Sequence, residues 1–78
     1  MTEEMVLERL NGVFQQVLDQ PDLKITPATT AKDVDGWDSM SHVMLVVEIE
    51  QSFKKRFKAR EIGEWKSVGD MIAAILRP

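Results

Sequence analysis

The sequence predicts an all-α fold: a four-helix bundle with one short third helix and a long ordered connection between helices 1 and 2. Three observations carry that expectation. Apolar residues recur at spacings of three and four over Glu3–Leu18 and again after Asp38. The box Ser67-Val68-Gly69-Asp70 opens another such run. Between the first two runs, residues 19–37 have no period at all. With 78 residues, 44% hydrophobic and 29% charged, the chain has room for a single domain, residues 1–78, and not for two.

The first helix is read from Leu7, Leu10, Phe14 and Val17, with Val6, Val13 and Leu18 flanking the same stripe. Thr2 is placed to cap it, and Glu3 and Glu4 meet the positive end of its dipole. Pro21 stops it. Gly12 weakens its middle by about 1 kcal/mol relative to alanine.

The segment that follows contains Pro21, Pro27 and Gly36 and is longer than ordinary connections unless something holds it down. Leu23, Ile25, Val34 and Trp37 are spaced along it as anchors, so it is expected to be an ordered surface connection rather than a disordered linker.

A second helix is expected from Asp38 to about Phe57. At about 100° per residue, Leu45, Val46, Ile49, Phe53 and Phe57 share one sector, the core face. Met40, Val43, Met44 and Val47 fall in a second sector. A bundle this small cannot easily bury a helix on two faces, so this patch is expected to touch something outside the domain unless another helix covers it. Ala59–Trp65 reads as a helical turn with a loop, with Trp65 a core residue closing it over the bundle. The last helix carries Val68, Met71, Ile72, Ile75 and Leu76 and is closed by Pro78.

Composition removes several function classes. With no cysteine there is no disulfide, no thiolate nucleophile and no Cys-based metal site. The apolar runs Val43–Val47, five residues, and Met71–Leu76, six, fall far short of the roughly 20 a membrane span needs, and the opening TEEMVLER is unlike a basic signal segment. A cytoplasmic chain without a membrane role is the expectation. Residues 1–53 carry ten acids and three bases, and residues 54–78 three acids and seven bases, for a net charge of -3. The run Lys54–Arg60, KKRFKAR, is interrupted by Phe57 and Ala59 and lacks a second aromatic platform, so it reads as a solvated helix end rather than a nucleic-acid patch. Near a helix C-terminus, Lys54 to Arg56 would also complement the dipole. His42 is the only histidine and falls with the core face, so no His-acid arrangement supports catalysis. It reads as a first-turn residue under the connection, with a polar contact near an attached group as the competing role.

The stretch DGWDSMSH, Asp35–His42, is the candidate site. On local chemistry alone it is a helix cap with Trp37 packed over the first turn. Asp38 suffices as the cap, however, which leaves the Ser39 hydroxyl free at the seam between core face and second patch. A phosphate ester there would sit at the positive end of the helix dipole, near N–H groups lacking intrahelical partners. Trp37 has two readings, a hydrophobic staple or an exposed anchor for a partner enzyme.

With these residues in view, the chain resembles the acyl carrier proteins, small helical carriers that receive a 4'-phosphopantetheine arm on the serine of an Asp-Ser-Leu motif. The motif stands here as Asp38-Ser39-Met40, and the likeness extends through Val43, Leu45, Ile49, Glu50 and Phe53 to the Ser67-Val68-Gly69-Asp70 box. The resemblance implies that a phosphopantetheinyl transferase moves the arm from coenzyme A to Ser39. It implies further that the arm's thiol carries acyl groups as thioesters between acyl-activating and acyl-transferring enzymes, that the chain is not itself an enzyme, and that Met40, Val43, Met44, Val47 and Trp37 serve docking. A monomer is expected.

Carriers of primary fatty acid synthesis usually have a strongly acidic second helix. Here Glu48 and Glu50 remain, but Ser41, Met44, Gln51 and Ser52 stand where acids are common, so docking should rest more on apolar contact. The GWDSMSH form is similar to free-standing carriers of specialised pathways making secondary metabolites, polyketides or polysaccharides. Two alternatives stay open: an aminoacyl or peptidyl carrier, and an unmodified helical interaction module, such as a homodimer, in which Ser39 is only part of a cap.

Overall fold

The computed structural model describes residues 1–77, which hold four α-helices and a single 3-10 turn. The closing role expected of Pro78 lies outside the described residues. Helix α1 spans Glu3–Val17, α2 Ser39–Phe53, α3 Ala59–Glu64 and α4 Val68–Leu76, with the 3-10 turn at Ala31–Asp33 in the connection.

Helix α1 starts where Thr2 accepts the Met5 amide at 3.2 Å. Its buried line is Val6, Leu10 and Phe14, one step around the helix from the expected Leu7 and Val17, which are only half-buried. The helix stops before Pro21 acts: Asp19 takes φ 53°, its amide reaches Gln16 O at 3.4 Å, and the Gln20 amide reaches Gln15 O at 2.9 Å. That left-handed stop satisfies carbonyls the helix leaves open.

Helix α2 is shorter than expected. Lys54 adopts φ 54° and the Lys55 amide returns to Glu50 O at 3.1 Å, which ends the helix at Phe53. Phe57 therefore packs on the core from an extended segment, its amide held by the Glu50 carboxylate at 2.9 Å. The basic run accordingly lies beyond α2 rather than on it, and the last turn of α2 holds no cation to meet its dipole. Part of that run has structural employment, since Lys55 donates to the Arg77 carbonyl and Arg77 pairs with Glu61.

Helix α1 packs against α2 and α4. The core joins Val6, Leu10 and Phe14 to Leu45 and Ile49 of α2 and to Val68, Met71, Ile72 and Ile75 of α4. Ala74 is buried on α4, whereas Leu76 is exposed at 37%. The connection is ordered as expected: Ile25, Val34 and Trp37 are buried, and Leu23 packs against them. Its carbonyls also complete α4, because Val68 N donates to Thr29 O at 2.9 Å and Gly69 N to Pro27 O at 2.8 Å. A Cβ on Gly69 would meet Pro27 O at 3.0 Å, a tight contact that the connection's backbone would have to yield to and that glycine avoids. Ser67 and Asp70 form the reciprocal cap read from the sequence. Helix α3 contributes no fully buried residue, and Trp65 at its end is half-buried against Phe57, ring centroids 5.1 Å apart.

Candidate functional site

The site is the junction of the connection with α2. Gly36 turns the chain at φ 84°, a conformation suited to glycine, while Gln20 Nε2 donates to Asp35 O at 2.6 Å and ties the turn back to the end of α1. Trp37 then enters the core, 8% exposed, its indole edge-on to Phe14 at 4.9 Å between centroids. Its reading as an exposed docking anchor is therefore corrected: the ring is a staple, and its N–H is spent on His42 Nδ1 at 3.1 Å.

Asp38 caps α2, its Oδ1 accepting the Met40 amide at 3.0 Å and the Ser41 amide at 2.9 Å. The sequence reading missed Ser41, whose hydroxyl accepts the Asp38 amide at 2.8 Å and donates to Gly36 O at 2.6 Å, closing a reciprocal cap. A serine three residues after an N-cap acid was the available signal. The Ser41 amide is the main reason the Asp38 carboxyl titrates below the ordinary carboxylate range; partial desolvation pushes the other way, and the Met40 amide reinforces the lowering.

A folded-state pKa below the unfolded value stabilises the protein above the unfolded pKa of about 3.9, and that stabilisation disappears as pH falls through the folded value. The stability difference between wild type and Asp38→Asn, measured by urea unfolding, should hence be constant from pH 7 to about pH 5 and shrink below about pH 4. A gap that persists at pH 2 would mean that the carboxylate's charge is not what the cap uses.

Ser39 is the first residue inside α2, exposed, and its hydroxyl makes no hydrogen bond among the described residues. Its neighbours on the outer face are uncovered: Met40 80%, Val43 63%, Met44 58% and Val47 45% exposed. No described helix packs over this patch. One expectation needs adjusting. Of the helix-end N–H groups near which a phosphate on Ser39 was expected to sit, those of Met40 and Ser41 are already taken by Asp38.

On its other side Ser39 borders a shallow, open depression of about 320 Å³ lined by Trp37, Asp38, His42, Ile62, Trp65 and Lys66. His42 is half-buried, stacked on Trp37 at 6.1 Å and edge-on to Trp65 at 6.2 Å. The structure thus places it both under the connection and beside Ser39. Nothing local in the sequence marks Ile62 and Lys66 as neighbours of Ser39, because the fold brings them there from α3 and the loop after it. No described helix is long and apolar enough to cross a membrane.

Residues 8–75 match a family model described as the phosphopantetheine attachment site. Among curated proteins, the chain is 29% identical over 75 residues to acyl carrier protein 2 of Ralstonia nicotianae, covering 96% of this chain and 93% of that one. Among solved structures, it is similar to the holo acyl carrier protein of Geobacter metallireducens, with a TM-score of 0.83, 37% identity, and 90% of this chain and 80% of that one covered.

Proposed function

Because this chain belongs to the acyl carrier protein family, we propose that Ser39 is the residue bearing its covalent 4'-phosphopantetheine and that the carrier serves a specialised pathway. As a family member it is a carrier and not an enzyme, and it meets a phosphopantetheinyl transferase and enzymes that handle acyl groups. The arm, when attached, supplies the thiol on which acyl groups ride as thioesters, a sulfur this cysteine-free chain lacks.

One observation carries the assignment of Ser39: its hydroxyl is exposed and unengaged, while the adjacent Asp38 and Ser41 side chains are both occupied with capping α2. In the transfer, Ser39 Oγ forms a bond to the pantetheine-side phosphorus of coenzyme A as the pyrophosphate P–O bond breaks. The adenosine bisphosphate half departs, and the hydroxyl proton passes to a base on the transferase. Asp38 fixes the first turn of α2, and Trp37, locked into the core, fixes the turn that precedes it.

Met40, Val43, Met44 and Val47 are the docking face, where an apolar partner surface gains the area that water now covers. Support for the specialised pathway comes from the scarcity of acid on α2. Its acids are Glu48 and Glu50, and the Glu50 carboxylate is engaged with the Phe57 amide. The 78 residues act as one monomeric domain in the cytoplasm, without nucleic-acid or membrane partners.

Offering the loaded chain to separate acyl-activating and aminoacyl-activating enzymes, with the product read by intact mass, tests the cargo. Acyl loading is expected; exclusive aminoacyl loading overturns the reading. Separately, Val43→Asp and Met44→Asp should leave stability within about 0.5 kcal/mol, because both positions are exposed. Each should lower kcat/KM for arm transfer about tenfold through lost apolar contact. Unchanged transfer kinetics in both variants would remove the docking role.

A further inference from the structure

We infer that the basic segment after α2 is a second, electrostatic half of the docking surface, which meets carboxylates on the enzyme that loads this carrier. The inference rests on the carrier reading and on Met40, Val43, Met44 and Val47 being the docking face.

The backbone sorts the segment's side chains. Lys54 turns the chain in its left-handed conformation, and residues 55–58 follow outside any helix. Burial alternates through them: Lys55 and Phe57 are half-buried, whereas Lys54, Arg56 and Lys58 are exposed. Arg60, also exposed, stands in the first turn of α3, the end of a helix where a cation is disfavoured. None of these four exposed cations has a carboxylate partner among the described residues, where the ion pair is Arg77–Glu61. The nearby acids are mostly occupied. Glu50 holds the Phe57 amide, Asp70 accepts the Lys66 and Ser67 amides, Glu61 pairs with Arg77, and Glu64 at the end of α3 is exposed. The row of cations therefore adds mutual repulsion to the fold and no compensating pair.

This row continues the apolar face. An open depression of about 410 Å³ is lined by Val47, Glu50 and Gln51 of α2 together with Lys54, Lys55 and Arg56. Arg56 also borders a second depression, which Lys58 and Arg60 line. A partner that covers Val47 thus reaches Lys54 and Arg56 as well, and covering unpaired cations is favourable only if the partner sets carboxylates against them. The 15 residues of α2 at about 1.5 Å each separate Ser39 from Lys54 by about 22 Å. The partner's carboxylates accordingly stand about 20 Å from the mouth that admits the arm.

A protein fits this pattern better than a uniformly anionic surface does. The positive character is confined to the far end of the face: around Ser39 the exposed charges are mixed, Asp35 and Asp38 against Lys66, and residues 1–53 carry ten acids and three bases. A flat anionic membrane or a nucleic acid repels those acids, whereas an enzyme can place its own acids opposite the basic segment alone. Phe57 and Trp65, moreover, pack edge-on against each other and are half-buried, so they offer no stacking platform for bases.

The test uses the full chain bearing its arm, with the activating enzyme that loads it as the probe, whatever the cargo. Arg56→Glu/Lys58→Glu changes two exposed side chains, so circular dichroism and complete arm loading by intact mass should match wild type. Its KM for the carrier should rise about tenfold at about 0.1 M salt with kcat within about twofold, and the excess should fall below about threefold at about 1 M, as the Debye length shrinks from about 10 Å to about 3 Å. Lys24→Glu reverses a charge beside α1, where the Gln15 and Asn11 side chains hold Leu23 O and Ile25 N, and should move KM by less than about twofold. A rise there as large as in the double variant would make net charge the cause and overturn the inference. Zero-length carbodiimide cross-linking of wild type to the enzyme should join Lys54 or Lys58 to enzyme carboxylates; cross-links confined to other lysines overturn it. An unchanged KM in the double variant, with KM raised in Val43→Asp, overturns it while leaving the docking face. Unchanged KM in both removes the docking reading beneath it. Flotation of wild type but not the double variant on phosphatidylglycerol vesicles, with KM unchanged, overturns it in favour of a membrane surface.

Discussion

Ser39→Ala abolishes the mass gain that the wild-type chain shows on incubation with coenzyme A and a phosphopantetheinyl transferase, and leaves the stability read by urea unfolding unchanged within about 0.5 kcal/mol. Both halves follow from the same geometry. The hydroxyl is exposed and bonded to nothing among the described residues, so its removal strands no partner, and alanine is at least as good a helix former at that position. Ser41→Ala gives the opposite pattern. It leaves the attachment oxygen in place, so the arm is still gained, but it breaks the reciprocal cap with Asp38 and the bond to Gly36 O, at a cost of about 1 kcal/mol. Intact mass and urea unfolding of the two variants, side by side, separate the attachment hydroxyl from the structural one. Arm gained by Ser39→Ala but lost in Ser41→Ala would exchange the two roles.

Phe14→Ala is the core substitution with the largest expected effect. The ring is fully buried and meets the edge of Trp37, so its loss removes apolar contact and leaves a cavity under the connection. Such truncations cost about 3–5 kcal/mol. A chain of 78 residues has a total stability of about 4–12 kcal/mol at 0.05–0.15 kcal/mol per residue. A fall in Tm of about 12 °C or more, read by far-ultraviolet circular dichroism, is therefore expected, and at the low end of that range the variant is unfolded at room temperature. A drop of under about 4 °C would show that the cavity collapses and that the Phe14–Trp37 contact does not anchor the connection.

Helix starts were legible in the sequence because capping is written in neighbouring residues: Thr2, Asp38 and Ser67 each cap the helix they were expected to cap. Helix ends were less so. Apolar spacing continues from Phe53 to Phe57, and no glycine marks the stop that Lys54 makes with a left-handed backbone, so α2 reads four residues too long. In α1 the true buried line is Val6, Leu10 and Phe14, and the error of one step arose because apolar residues flank it on both sides. Ser39 and the bare face at Met40, Val43, Met44 and Val47 were readable from helical phase alone. What escaped is nonlocal. The Gln20 bond to Asp35 O and the arrival of Ile62 and Lys66 beside Ser39 depend on where separate elements meet, and whether Trp37 faces inward or outward is decided by Phe14, far away in the chain.

The two carbonyls at Pro27 and Thr29 that receive the leading amides of α4 have a mechanical meaning. Neither the segment before α2 nor the final helix can loosen alone without stranding those amides. The residues that link the first two helices are thus not slack rope between posts; they are a strut of the frame, and any breathing that opens that side of the molecule has to move strut and helix as one piece.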